Sequence, residues 1–199
     1  MSKEEQILEV AMKVFRERGY HAASMQEIAD AVGMQKGSLY YYISGKQELL
    51  FMILDRAIDT ITARVEEIYR SDLSPKEKLW QAIVNHVEVV SERQDMLTIL
   101  LRERHALSPN QQAVIDEKRV AYERLFQRIL TEGVRAGEFR EMDVKIVSFG
   151  ILGMCNWLYQ WYSSEGRLSA KEIGDIFADI VFRGVVVQDG QEPRGRQER

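Results

Sequence analysis

Four capping boxes constrain this chain more tightly than any other feature. Ser24-Met-Gln-Glu27, Ser74-Pro-Lys-Glu77, Ser108-Pro-Asn-Gln111 and Ser169-Ala-Lys-Glu172 each set a serine three residues ahead of a Glu or Gln. At that spacing the serine oxygen accepts from an early helical N–H, and the Glu or Gln reaches back toward the serine. Pro75 and Pro109 stand at the first helical position, where a missing N–H costs nothing. Gly19, Gly33, Gly137 and Gly166 fall where helices should stop. Between these marks the apolar residues recur at helical steps. Ile7, Ala11, Val14 and Phe15 make one stripe, and Leu50, Ile53, Leu54, Ala57, Ile58, Ile61, Val65 and Ile68 a longer one. Tyr122, Leu125, Phe126, Ile129 and Leu130 make a third; Ile173, Ile176, Phe177, Ile180 and Val181 a fourth. Sustained period-2 alternation is missing. The expectation is an all-α fold of about nine helices.

Composition narrows the class. The chain has 199 residues, of which 45% are hydrophobic and 29% charged, as in a folded protein rather than a disordered one. No apolar run reaches the length of a membrane span, and the N-terminus has no signal-peptide core. The single cysteine, Cys155, has no intramolecular partner for a disulfide. A cytoplasmic protein without membrane contact is expected. The net charge of −4 lacks the basic footprint of a nucleic-acid binder, so any DNA affinity must come from locally placed positive groups.

Residues 24–43 supply such a place. A short capped helix from Ser24 to Ala31 presents Ile28 and Ala29 to a core, Val32-Gly33-Met34 turns the chain, and a second short helix follows over Gln35–Tyr42. Leu39 is its inward anchor; Lys36, Gly37, Ser38, Tyr40, Tyr41 and Tyr42 face outward or stay near the surface. Two helices joined by a tight glycine turn can lay the second in a major groove.

Phe15-Arg-Glu-Arg-Gly-Tyr20, Ser24 to Gly33, Lys36-Gly-Ser-Leu-Tyr-Tyr41 and Lys46-Gln-Glu-Leu-Leu50 together resemble the N-terminal signature of the TetR/AcrR family of transcriptional regulators. Ser44-Gly45 departs from the Pro-Ser of many relatives and should alter the loop little. The resemblance implies that Gln26, Lys36, Ser38, Tyr40, Tyr41 and Tyr42 lie on the DNA-facing surface, with Lys46 meeting a phosphate at the next helix start. With the cap Ser24 and with Gly37, these make up the expected DNA-binding set. The implied domains are a three-helix DNA-binding domain over 1–46, an effector-binding and dimerisation domain over 47–187, and a disordered tail over 188–199.

The larger domain shows no chemistry of its own. His21, His86 and His105 have no metal-ligand spacing, no Gly-rich phosphate loop is present, and Cys155 sits in an apolar segment. No catalytic residue, metal or cofactor is expected. Phe149 to Tyr162 is dense in aromatics and, with Arg102 to Pro109 and Gly166 to Ile173, resembles a TetR subgroup that governs fatty-acid, aryl-acid and sterol breakdown and senses acyl-CoA thioesters. That resemblance implies a repressor released from its operator by an acyl-CoA. The alternatives are another lipophilic effector or, in a different class, a helical acyl-CoA-processing enzyme. An acyl chain needs an apolar cavity, for which Phe126, Phe149, Met154, Trp157 and Trp161 are candidates. The polyanionic CoA moiety needs cations, for which Arg102, Arg104, His105 and Arg119 are candidates. One short recognition helix reads few base pairs, so a palindromic operator and a homodimer are expected. The last two long helices, near 143–163 and 169–186, carry the expected dimer surface at Ile173, Ile176, Phe177, Ile180 and Val181.

Overall fold

The computed structural model describes residues 2–94, 98–99 and 103–186. Arg102 and the tail from 188 onward therefore lie outside the described residues. Among the described residues there are eight α-helices: α1 (Lys3–Arg18), α2 (Met25–Val32), α3 (Lys36–Tyr42), α4 (Lys46–Arg70), α5 (Pro75–Glu92), α6 (Pro109–Arg135), α7 (Val144–Asn156) and α8 (Ala170–Val185). Two 3₁₀ turns, Arg104–Ala106 and Trp157–Gln160, accompany them. The extended pairing among these residues is one isolated bridge, Phe139 with Val186.

The serine motifs act as their spacing predicts. Ser24 and Ser169 each accept from the N–H of the Glu three residues on, and that Glu accepts from the serine N–H. The same exchange occurs at Ser74 with Glu77 and at Ser108 with Gln111. Those serine N–H bonds draw the Glu27, Glu77 and Glu172 carboxyls below the ordinary carboxylate value.

The chain forms two compact units. The first joins Met1–Thr62 with Glu92–Val120; the second joins Ala63–Ser91 with the described residues from 121 onward. Apolar groups far along the chain share the core of the N-terminal helices. Ile99, Leu107 and Ile115 are buried in one cluster with Phe15, Ile28, Leu39 and Leu50. Lys118 adds ion pairs to Asp55 and Asp59 of α4, at 2.5 and 2.8 Å.

In the second unit α5, α6, α7 and α8 bury Leu79, Ile83, Val87, Phe126, Ile151 and Ala178. Gly174 of α8 lies so close to α5 that a Cβ would come within 2.9 Å of the Val84 Cα. Trp80 of α5 donates to Asp175 of α8 at 3.0 Å, and its ring meets Phe182 edge-on. α7 stops at Asn156 and tightens into the 3₁₀ turn, so the continuous helix expected to 163 is not formed. Trp157 and Trp161 therefore do not share an α-helical face.

Candidate DNA-binding surface and effector domain

α2 and α3 form the motif. Gly33 takes φ 74° and ψ 37°, a left-handed conformation that glycine adopts without a Cβ penalty, and Met34 N–H closes the turn on Ala29 C=O at 2.9 Å. Leu39 is the one buried residue of α3. Everything else on that helix faces out. Tyr41 is 86% exposed, Tyr40 and Tyr42 about half as much, and Lys36 holds its ammonium 6.0 Å from the Tyr40 ring centroid. Three large aromatic groups in water are a poor packing solution and a good contact surface.

Other members of the expected set are engaged within the protein. Ser24 is occupied by its cap. The Gln26 amide donates to Asp30 at 2.8 Å. Lys46 was expected to meet a phosphate, but its ammonium donates to the carbonyls of Tyr20, His21 and Ala23.

The expected effector residues are divided between the units. Arg104 pairs with Asp116, and Arg119 approaches the same carboxylate at 3.9 Å; both belong to the first unit, and His105 is exposed there. In the second unit Phe126 is fully buried and Met154 half-buried. Phe149, Trp157 and Trp161 are instead exposed, so they do not line one cavity with Phe126. Ile146, Phe149, Gly150, Gly153 and Trp157 recur at helical steps along one exposed face of α7 and its continuation, and Ile176 and Ile180 are exposed on α8. Ile173, by contrast, is buried in its own unit, and Phe177 and Val181 are half-buried. Trp161 to Ser163, Gly166 to Leu168 and α8 residues Ile173, Ile176 and Phe177 bound an apolar groove of about 340 Å³.

The polar centre of the second unit escaped sequence reasoning. His86 of α5 is buried, with Nδ1 2.6 Å from the Tyr122 hydroxyl and Nε2 3.0 Å from Asn156 Oδ1. Asn156 Oδ1 can only accept, so Nε2 carries the proton and Nδ1 accepts from Tyr122. Burial pushes the imidazole from 6.5 down to about 4, so it is neutral. Burial also raises Tyr122, and lifts Cys155 to about 12. A signal was available: His86 and Tyr122 both fall on apolar stripes, where a polar ring needs partners.

Comparisons with known proteins agree with this architecture. The model of the bacterial regulatory proteins, tetR family, matches residues 7–53, and that of the tetracyclin repressor-like C-terminal domain matches residues 72–185. The chain belongs to the TetR family of bacterial regulatory proteins. It is 30% identical over 194 residues to the HTH-type transcriptional repressor KstR2 of Mycolicibacterium smegmatis, covering 96% of this chain and 94% of that protein. It is 24% identical over 182 residues to the fatty acid metabolism regulator protein of Bacillus subtilis strain 168, covering 90% and 94%. It is similar to AibR, solved in complex with isovaleryl coenzyme A and operator DNA, with a TM-score of 0.83, 30% identity and coverage of 91% and 98%. No helix of the described residues is long and apolar enough to cross a membrane.

Proposed function

We propose that this chain is a dimeric repressor whose grip on a palindromic operator is released by an acyl-CoA thioester. The observation that carries the DNA half is the outward α3 face of Lys36, Tyr40, Tyr41 and Tyr42 on a motif held by Leu39 and Gly33. The effector half is supported by the likeness to AibR, which was solved with both an acyl-CoA and its operator. Phe126 supplies an apolar wall beside the His86–Tyr122–Asn156 cluster, its ring centroid 5.6 Å from that of Tyr122. The Tyr122 O–H and the His86 Nε2–H are committed within that cluster, so a ligand carbonyl would be oriented there by displacing one of these bonds. The dimer is supported by the exposed apolar face of Ile146, Phe149, Trp157, Ile176 and Ile180, with the exposed Gly150 and Gly153 allowing close helix approach. Effector binding must favour a state in which the two α3 helices leave the spacing of one turn of B-DNA.

The test is a gel-shift titration on an operator recovered by selection from a random library. Isovaleryl-, medium- and long-chain acyl-CoAs are compared with free CoA and free acids. Release by one or more thioesters, weakened in Tyr122→Phe, is expected. Release by none of them removes the effector assignment and leaves DNA binding standing.

A further inference from the structure

We infer that Lys118 is a positioning residue that couples the His86–Tyr122–Asn156 cluster to the helix-turn-helix, by latching α6 to α4. The inference rests on the acyl-CoA reading of that cluster. The Lys118 ammonium lies 2.5 Å from Asp55 Oδ1 and 2.8 Å from Asp59 Oδ2, two carboxylates one turn apart on α4. The side chains of Lys118 and Asp55 are each 28% exposed, so salt and water screen this pair less than a pair on the open surface. Burial works against the charge of the ammonium, but the two carboxylates outweigh it and hold the group above its ordinary value of 10.5.

Both sides of the latch are tied to working parts of the chain. On the α4 side, Leu50, Leu54 and Ile58 share one buried cluster with Leu39, the single anchor of α3, and with Ile115 of α6. A contact that holds α4 at Asp55 and Asp59 therefore holds the helix on which α3 is seated. On the α6 side, Ile115, Lys118 and Tyr122 recur at helical steps along one face. Lys118 lies in the first unit and Tyr122 in the second, and the helix is unbroken between them. Tyr122 follows Lys118 by about 6 Å along the helix axis, and its hydroxyl makes the 2.6 Å bond to His86 Nδ1. A ligand carbonyl that takes the Tyr122 hydroxyl breaks this bond and frees α6 to turn against α5. One turn of helix moves as a rod, so the Lys118 stem moves with Tyr122 and is drawn off its two carboxylates. The latched arrangement favours operator binding and the ligand favours the unlatched one, which is the differential affinity that release requires.

Operator affinity of the full chain is measured with and without saturating isovaleryl-CoA or a long-chain acyl-CoA, well below every Tm, for wild type, Lys118→Met and Asp59→Asn. Lys118→Met keeps the stem and loses the charge. Asp59→Asn removes one carboxylate at a side chain that is 61% exposed, and so spares the fold. Wild type is expected to lose about tenfold or more in operator affinity when a thioester is bound. Lys118→Met should bind operator about tenfold more weakly before any thioester is added, and should lose less than about threefold more on its addition. Asp59→Asn should fall between the two. A brace that only stabilises the fold would lower Tm and leave the thioester-induced ratio alone. A wild-type ratio in Lys118→Met, or in Asp59→Asn where Lys118→Met does not fold, overturns the proposal. If no thioester releases the wild type, the acyl-CoA reading fails instead, and the latch is decided without ligand. Tyr122→Phe is then combined with whichever latch variant folds, and operator affinity is compared across the cycle. A combined loss smaller than the product of the single losses supports the latch, and losses that simply multiply overturn it.

Discussion

Acidification should destabilise this protein through one side chain, His86. Its folded value is about 4 against 6.5 for the free group, because burial in the second unit opposes the charged ring. As pH falls below 6.5 the unfolded chain takes up a proton that the folded chain refuses until about 4. Stability attached to this site is therefore complete above 6.5, declines as pH drops, and reaches its full loss near 4. The whole interval corresponds to about 3 kcal/mol. Linkage places about 2 kcal/mol of it between about pH 7 and about pH 5. That window lies above the range in which the capping carboxylates protonate, since Glu27, Glu77 and Glu172 are held below 4.5. The assay is urea unfolding at the two pH values, at one fixed protein concentration, for wild type and His86→Gln. Glutamine can donate and accept but does not titrate. Wild type should lose about 2 kcal/mol more than the variant on acidification. Equal losses would refute the argument, by showing that the imidazole is not the group whose protonation the fold resists.

The other predictions concern the two surfaces and one helix crossing. Tyr41→Ala should abolish operator selectivity with Tm unchanged, since the ring is 86% exposed; gel shift and thermal melting check it. Ile180→Glu should yield a monomer by sedimentation at micromolar concentration while circular dichroism stays helical, because Ile180 is 55% exposed and its exposure does not come from a broken core. A dimer that survives this substitution places the interface elsewhere. Gly174→Ala should cost about 1–3 kcal/mol in chemical unfolding, because its Cβ would meet the Val84 backbone rather than a movable side-chain end. Wild-type stability in that variant would mean that α5 and α8 separate freely.

Much of this fold was legible from local signals. A serine three residues before a glutamate states where a helix begins, and a glycine past a stripe states where it ends, because both act within one turn of backbone. The motif over 24–43 was readable for the same reason, down to Leu39 as its single anchor. With Leu39 as the single anchor the other positions of α3 were left outward, and the family resemblance added the expectation that they face DNA. Side-chain partners did not follow. Lys46, Arg104 and Gln26 carry the right chemistry for DNA or an anion, yet each is bound to groups of its own protein: carbonyls at positions 20, 21 and 23, Asp116 and Asp30. Only the Gln26 partner lies within one helical turn.

The aromatic run divides the two kinds of information most sharply. Its composition announces an apolar surface between Phe149 and Trp161 but not which side of the helix meets the core. Packing within the second unit decided that: Trp157 continues the exposed face of α7, Trp161 is exposed after the 3₁₀ turn, and Cys155 and Leu158 lie inside. His86 is the converse case. Its neighbours in sequence placed it on an inward face, and only the packing of α5 against α6 and α7 brought Tyr122 and Asn156 to its two nitrogens. Helix boundaries and helix faces are thus written locally, through backbone capping and the 3.6-residue period. Which polar group satisfies which, and which apolar stripe stays in water, depends on residues tens of positions apart meeting in three dimensions, and that was decided only by the tertiary structure.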